Sequence, residues 1–97
     1  MGKKRYEILL MKTTESGLVA VDFYDDGHTS EKEARKAAIS ASKRCPFEVA
    51  GETVDAVQMT CQEAHETGFV CLWREFYAKG RFVAKMSDFG AKMEDGL

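Results

Sequence analysis

One stretch of the chain, Ser30 to Cys45, carries a complete helical signature, and most of what surrounds it reads as strand. Ser30-Glu31-Lys32-Glu33 is a capping box: the Ser30 hydroxyl can accept the Glu33 amide while the Glu33 carboxylate turns back to the Ser30 amide. The helix predicted from it runs over Glu31 to Arg44. Ala34, Ala37, Ala38, Ala41 and Cys45 fall on one stripe, and Glu33, Arg35, Lys36 and Lys43 face water. Pro46 ends the helix, with Lys43 and Arg44 placed to meet the negative end of its dipole. Its small side chains suit it to lie close against a sheet, and that sheet must come from the rest of the chain.

Tyr6 to Lys12 is an apolar, β-prone run. Leu18 to Tyr24 alternates, with Val19, Val21 and Phe23 on one side and Ala20, Asp22 and Tyr24 on the other. The polar loop Thr13-Thr14-Glu15-Ser16-Gly17 joins them as a hairpin, and Asp25-Asp26-Gly27 is expected to stop the second strand. Thr53 to Glu63 fits a helix through Val54, Val57, Cys61 and Ala64, and a strand through Val57, Met59 and Cys61. Strand is preferred, because Val, Thr and Cys are poor helix residues. His65-Glu66-Thr67-Gly68 then turns into Phe69 to Tyr77, and Ala78-Lys79-Gly80-Arg81 turns into Phe82 to Ser87. The expected architecture is α+β, ββαβββ: a single antiparallel sheet with one helix packed on one face. Residues 1-87 form one domain and 88-97 a polar C-terminal tail.

A chain of 97 residues has room for one domain with one modest core. Fourteen Lys and Arg against sixteen Asp and Glu give a formal net charge of -2, which disfavours a general coat for phosphate backbones. Three cysteines, Cys45, Cys61 and Cys71, cannot all pair within the chain, and no apolar leader follows the basic start. Met1-Gly2-Lys3-Lys4-Arg5-Tyr6 has Tyr6 where a myristoylation signal needs Ser or Thr. The expectation is a cytoplasmic protein with reduced thiols. The apolar runs Ile8 to Met11 and Phe69 to Trp73 are far short of the roughly 20 residues of a membrane span.

The chemistry-bearing residues do not assemble into a recognisable site. Cys61, His65, Cys71 and His28 are the soft ligands available to zinc, but no C-x2-C pair is present, and Cys61 and Cys71 are expected on the core face of neighbouring strands. A Cys71–His65 pair lacks a recognisable oxyanion loop, and Cys45 sits at the helix end that opposes thiolate formation. Asp25-Asp26 beside Gly27 reads as a strand stop. No phosphate-binding glycine loop occurs, and Asp88-Phe89-Gly90 lacks the companions that give this tripeptide meaning in kinases. No catalytic residue, metal or cofactor is therefore assigned.

What remains is a surface. Ile8 to Met11 and Val70 to Leu72 are apolar on both strand faces, yet one helix covers one face of a sheet. Either the sheet curls around its own side chains, or a partner or second copy covers the other face. Arg74, Phe76, Arg81 and Lys85 are expected on the face opposite Trp73 and Met59, with Tyr24 and Tyr77 at its margins, a mixture suited to a protein interface. In size, mild acidity and lack of catalytic groups the chain is similar, by category alone, to the small inhibitors phages encode against host defence, such as anti-CRISPR proteins. That resemblance implies docking on a larger protein or nucleoprotein complex.

A second, local likeness lies in Gly27-His28-Thr29-Ser30-Glu31-Lys32-Glu33-Ala34-Arg35-Lys36-Ala37-Ala38, which follows a hairpin. It resembles the last strand and helix of double-stranded RNA-binding domains, and the resemblance implies phosphate contacts by Lys32, Arg35 and Lys36. Glu31 replaces one of that family's basic residues, and the chain continues with strands where the family's domain ends.

Overall fold

The computed structural model describes residues 3–87, with Asp26 described by its backbone alone. The segment 88-97, expected to be a polar tail, lies outside the described residues. The elements follow in the order β1 (Lys4–Thr14), β2 (Gly17–His28), α1 (Glu31–Ser42), β3 (Phe47–Val49), β4 (Glu52–Val54), β5 (Ala56–His65), β6 (Gly68–Ala78) and β7 (Arg81–Ser87). Five strands form one antiparallel sheet in the order β2-β1-β5-β6-β7, and β3 and β4 form a separate two-stranded ribbon.

The α+β class and, among the described residues, the one helix match the sequence reading, and Ala56–His65 is a strand, as its composition favoured. The expected ββαβββ order needs a correction. The β3–β4 ribbon intervenes, turning on Ala50 and Gly51, both at positive φ. Three-residue strands are too short to leave an alternation signal, so only Gly51 marked the turn. The helix is also shorter than its apolar stripe, ending at Ser42 before a turn that leads to the cis Cys45–Pro46 bond.

Local chemistry positions α1. Ser30 Oγ accepts the Glu33 amide at 3.3 Å, the first half of the expected capping box. Ala34, Ala38 and Ala41 lie buried against the sheet, where Tyr6, Ile8, Leu10, Val57, Met59, Cys61 and Tyr77 complete the core. Side chains as large as Ile8 or Met59 contribute roughly 1.5–3 kcal/mol each when fully buried. At the far end of α1 the buried Ser42 Oγ donates to the Ile39 carbonyl at 2.8 Å and accepts the Gly80 amide at 2.9 Å, tying the helix to the β6–β7 turn. Lys79 and Gly80 both have positive φ there, as a tight two-residue hairpin turn requires.

Bulges decide which side chains share a face. β2 does not stop at Asp25: it continues to His28, absorbing Asp26 and Gly27 as a bulge between the Ile8↔Asp25 and Tyr6↔His28 pairs, with Gly27 at φ +83. Two further shifts, at Val21 and Tyr24, break the alternation expected over Leu18 to Tyr24. Ala20 and Phe23, on opposite sides of a regular strand, instead pair with Met11 and Leu9 on one face. β6 carries one extra residue, Leu72, between the pairs Gln62↔Cys71 and Cys61↔Trp73. β7 carries another, Val83, between Tyr77↔Phe82 and Phe76↔Ala84. Both outer strands, β2 and β7, are therefore irregular, which discourages pairing with further strands.

Candidate functional site

The two faces of the sheet differ in kind. Beneath α1, the Arg35 guanidinium donates to both Glu75 carboxylate oxygens, Nε at 3.1 Å and Nη2 at 3.2 Å, while Nη2 also reaches Glu31 at 2.7 Å. The Tyr77 hydroxyl donates to Glu75 at 2.5 Å, and Lys85 Nζ stands 4.0 Å from the same carboxylate and 4.5 Å from the Trp73 ring centre. The Glu75 side chain is only 8% exposed. Burial alone would push its carboxyl up, but the hydrogen bonds from Arg35 and Tyr77 and the charges of Arg35 and Lys85 outweigh it and hold the group below the usual carboxylate value. Tyr77 is pushed up to about 12, by burial first and by its bond to Glu75 second. This cluster is internally satisfied, and it clamps α1 to β6.

The opposite face carries no helix among the described residues. Its centre is the row Ala56, Gln58 and Thr60 of β5 with Phe76 of β6 and Met11 of β1, all buried. The Gln58 amide donates to Thr60 Oγ1 at 2.7 Å, so the polar floor is paired within the protein. Large apolar side chains stand exposed around this centre: Phe23 at 62%, Met86 at 52% and Phe69 at 50%, with Leu18 less so. Arg5 caps one end, its guanidinium 3.9 Å over the Phe69 ring and its Nε donating to Gln62 at 2.9 Å. Across the other end runs a trough of about 400 Å³. Met11 and Leu18 line one side, Val83 and Met86 the other, and Gln58, Arg74 and Phe76 lie between.

The residues expected to form an interface are only partly brought together. Arg74 and Phe76 do lie opposite Trp73 and Met59, since their partners are Thr60 and Gln58. Arg81 pairs with Ala78 at the hairpin end beside them, and it is exposed. Lys85 is a correction. An uninterrupted β6–β7 ladder would set it against Arg74, but the extra Val83 moves it opposite Glu75, onto the Trp73 side. Tyr77 is a second correction: it is 2% exposed inside the core, where Tyr6, Val57 and the helix alanines gather. Tyr24 is exposed in the β2 bulge, at the opposite edge of the sheet from Arg81. Leu18 was missed, and so were Phe23, Phe69 and Met86, whose faces depend on bulges that alternation does not reveal. The one available signal was that β1 and β6 are apolar on both sides.

Of the alternative phosphate-binding set, Lys32 and Lys36 are exposed, whereas Arg35 is committed to Glu75 and Glu31. The thiols do not converge. Cys61 is buried on the helix side, and the Leu72 bulge places Cys71 opposite Gln62 on the other face, correcting the expectation that both lie on the core face. Burial pushes the Cys45 and Cys61 thiols up, away from the reactive thiolate. His65 contacts Glu63 at 3.1 Å and His28 contacts Asp25 at 2.7 Å. Among the described residues no group of three or more His, Cys, Asp or Glu is arranged to hold a metal ion. Nor is any described helix long and apolar enough to cross a membrane. The chain matches no family model, no curated protein and no solved structure.

Proposed function

We propose that this is a non-catalytic binding protein whose sheet face opposite α1 docks on a larger protein or nucleoprotein complex and blocks or adapts it. The observation that carries the reading is the ring of exposed Leu18, Phe23, Phe69 and Met86 around a buried centre, on the face that α1 leaves uncovered. Contiguous apolar surface rimmed by polar groups is favourable to bury and is a mark of interfaces. Aromatic, Met and Arg side chains are the types enriched there, and this face offers Phe23, Phe69, Met86, Arg5 and Arg74. Inhibition of a host-defence complex, the concrete form of the proposal, draws support from size, mild acidity and the lack of a catalytic motif in the sequence.

The test is recovery of tagged protein from a lysate of its source after nuclease treatment, with the wild type and a Phe23→Glu/Phe69→Glu variant in parallel. Both positions are at least half exposed, so the variant keeps the core intact. A stoichiometric protein complex seen with the wild type and absent from the variant supports docking by this face. A complex retained by the variant overturns it.

A further inference from the structure

Independently of the docking face, we infer that the helix side of β7 binds single-stranded nucleic acid, with a base stacked on Phe82 and phosphates held by Lys43, Lys79 and Lys85. Phe82 pairs with the buried Tyr77 across the β6–β7 ladder, which puts it on the face that carries α1, yet it is 56% exposed. Its neighbours Val83 and Ala84 line the trough on the other face, where Phe82 takes no part. The Phe82 ring stands at 77° to that of Tyr77 with 5.9 Å between centres, so Tyr77 holds its orientation and covers at most one face of it. A ring anchored from beneath and open to water is a platform for an unpaired base, and such stacking is tolerant of sequence.

The fold brings cations to both ends of this platform. Ser42 ties the end of α1 to Gly80, and the Lys43 side chain lies over that glycine, where a Cβ would meet Lys43 Cγ at 2.8 Å. Lys79 adjoins the same glycine, so two exposed ammonium groups from distant parts of the chain meet at one turn. Neither has a carboxylate partner among the described residues, and converging like charges attract an anion. Lys85 lies three residues beyond Phe82, roughly 10 Å along the strand, and stands on the same side over the Trp73 ring. The carboxylates Glu75 and Glu31 on this side both accept from Arg35. A backbone that follows β7 therefore meets ammonium groups before and after the ring. A duplex is the weaker occupant, because its bases already stack on one another and a net charge of -2 gives little general hold on phosphates. An acidic peptide would use the lysines and leave the ring idle.

The probes are labelled oligothymidine and oligouridine of roughly 12 nucleotides, a DNA hairpin duplex and an oligoglutamate peptide, each titrated with the full chain and read by fluorescence anisotropy. Both single strands should bind, more weakly as salt rises. Phe82→Ala should weaken them at least about tenfold, and Phe82→Trp, which keeps a stacking ring, should restore binding. Lys43→Gln/Lys79→Gln should weaken binding and reduce the slope of log affinity against log salt by about 1.4, the share of two phosphate contacts. All three positions are exposed, so the core is kept. Phe23→Glu/Phe69→Glu should bind the oligonucleotides as the wild type does.

Absence of binding to both single strands at low salt overturns the proposal, as does binding that ignores Phe82→Ala. Equal or tighter binding of the hairpin or of oligoglutamate gives the lysines to another anion and overturns it too. Oligonucleotide binding lost with Phe23→Glu/Phe69→Glu and kept with Phe82→Ala places the strand on the opposite face and overturns this assignment. The lysate experiment reads the docking face alone, so either reading can fail without the other.

Discussion

The face of the sheet under α1 and the face opposite it are built from different materials, although both come from the same strands. Under α1 the packing is closed: Ile8, Met59, Val57 and Cys61 have no exposed surface, and the buried Glu75 carboxylate is held by Arg35, Tyr77 and Lys85. On the other side the centre holds a buried Gln58–Thr60 pair beside Phe76, and Phe23, Phe69 and Met86 stand exposed around it. The difference teaches that one face is specified for stability, while the other keeps surface that folding does not consume.

The largest expected effect breaks the closed face. Met59→Ala removes a fully buried side chain and should cost about 2–5 kcal/mol in denaturant unfolding, whereas Phe23→Ala on the other side should stay within about 0.5 kcal/mol. Equal losses at the two positions would erase the distinction. Next comes the clamp. Glu75→Ala leaves Arg35 and Tyr77 facing a buried gap and should cost roughly 1–3 kcal/mol, with Glu75→Gln recovering part of it. A smaller effect belongs to the turn that anchors α1. Gly80 sits at φ +78, and a Cβ there would meet Lys43 Cγ at 2.8 Å, so Gly80→Ala should lower stability by about 1–2 kcal/mol.

Acid and alkali sharpen the comparison further, because the shifted groups line the closed face. The Glu75 carboxyl is held below its ordinary value in the folded state, so its contribution is complete above about pH 4.5 and is lost as pH falls through the lower, folded value. Glu75→Gln should therefore flatten part of the acid limb of the stability profile. Tyr6 and Tyr77 move the other way, to about 12 from an ordinary value of about 10, both chiefly through burial. Their contribution is complete below pH 10 and disappears as pH rises towards 12. Ultraviolet titration alongside circular dichroism should show these phenols ionising as the fold is lost. Ionisation of Tyr6 and Tyr77 near pH 10 with the fold intact would contradict their burial.

The elements were more legible in the sequence than the faces. A capping box, an alanine stripe, Gly-ended turns and an apolar β1 are local signals, and they gave the helix, the hairpins and the α+β class. Which face each side chain takes is a parity count, and a single bulge reverses everything beyond it. Val83 carried Lys85 from the Arg74 side to the Glu75 side, and Leu72 set Cys71 and Trp73 on opposite faces despite their spacing of two. Arg74 and Phe76 were placed correctly because β5 and β6 are in register through that stretch. The Arg35–Glu75 clamp left no local trace, since its partners are separated by 40 residues in the chain.

The most direct measurement of the division between the faces is carbene footprinting by mass spectrometry, comparing the free chain with its nuclease-resistant complex. The account predicts that labelling falls at Phe23, Phe69, Val83 and Met86, while the outward face of α1, with Lys32 and Lys36, labels equally in both states. Protection confined to Lys32, Lys36 and their neighbours, with the uncovered sheet face labelled as before, would contradict it and move the binding surface to the helix.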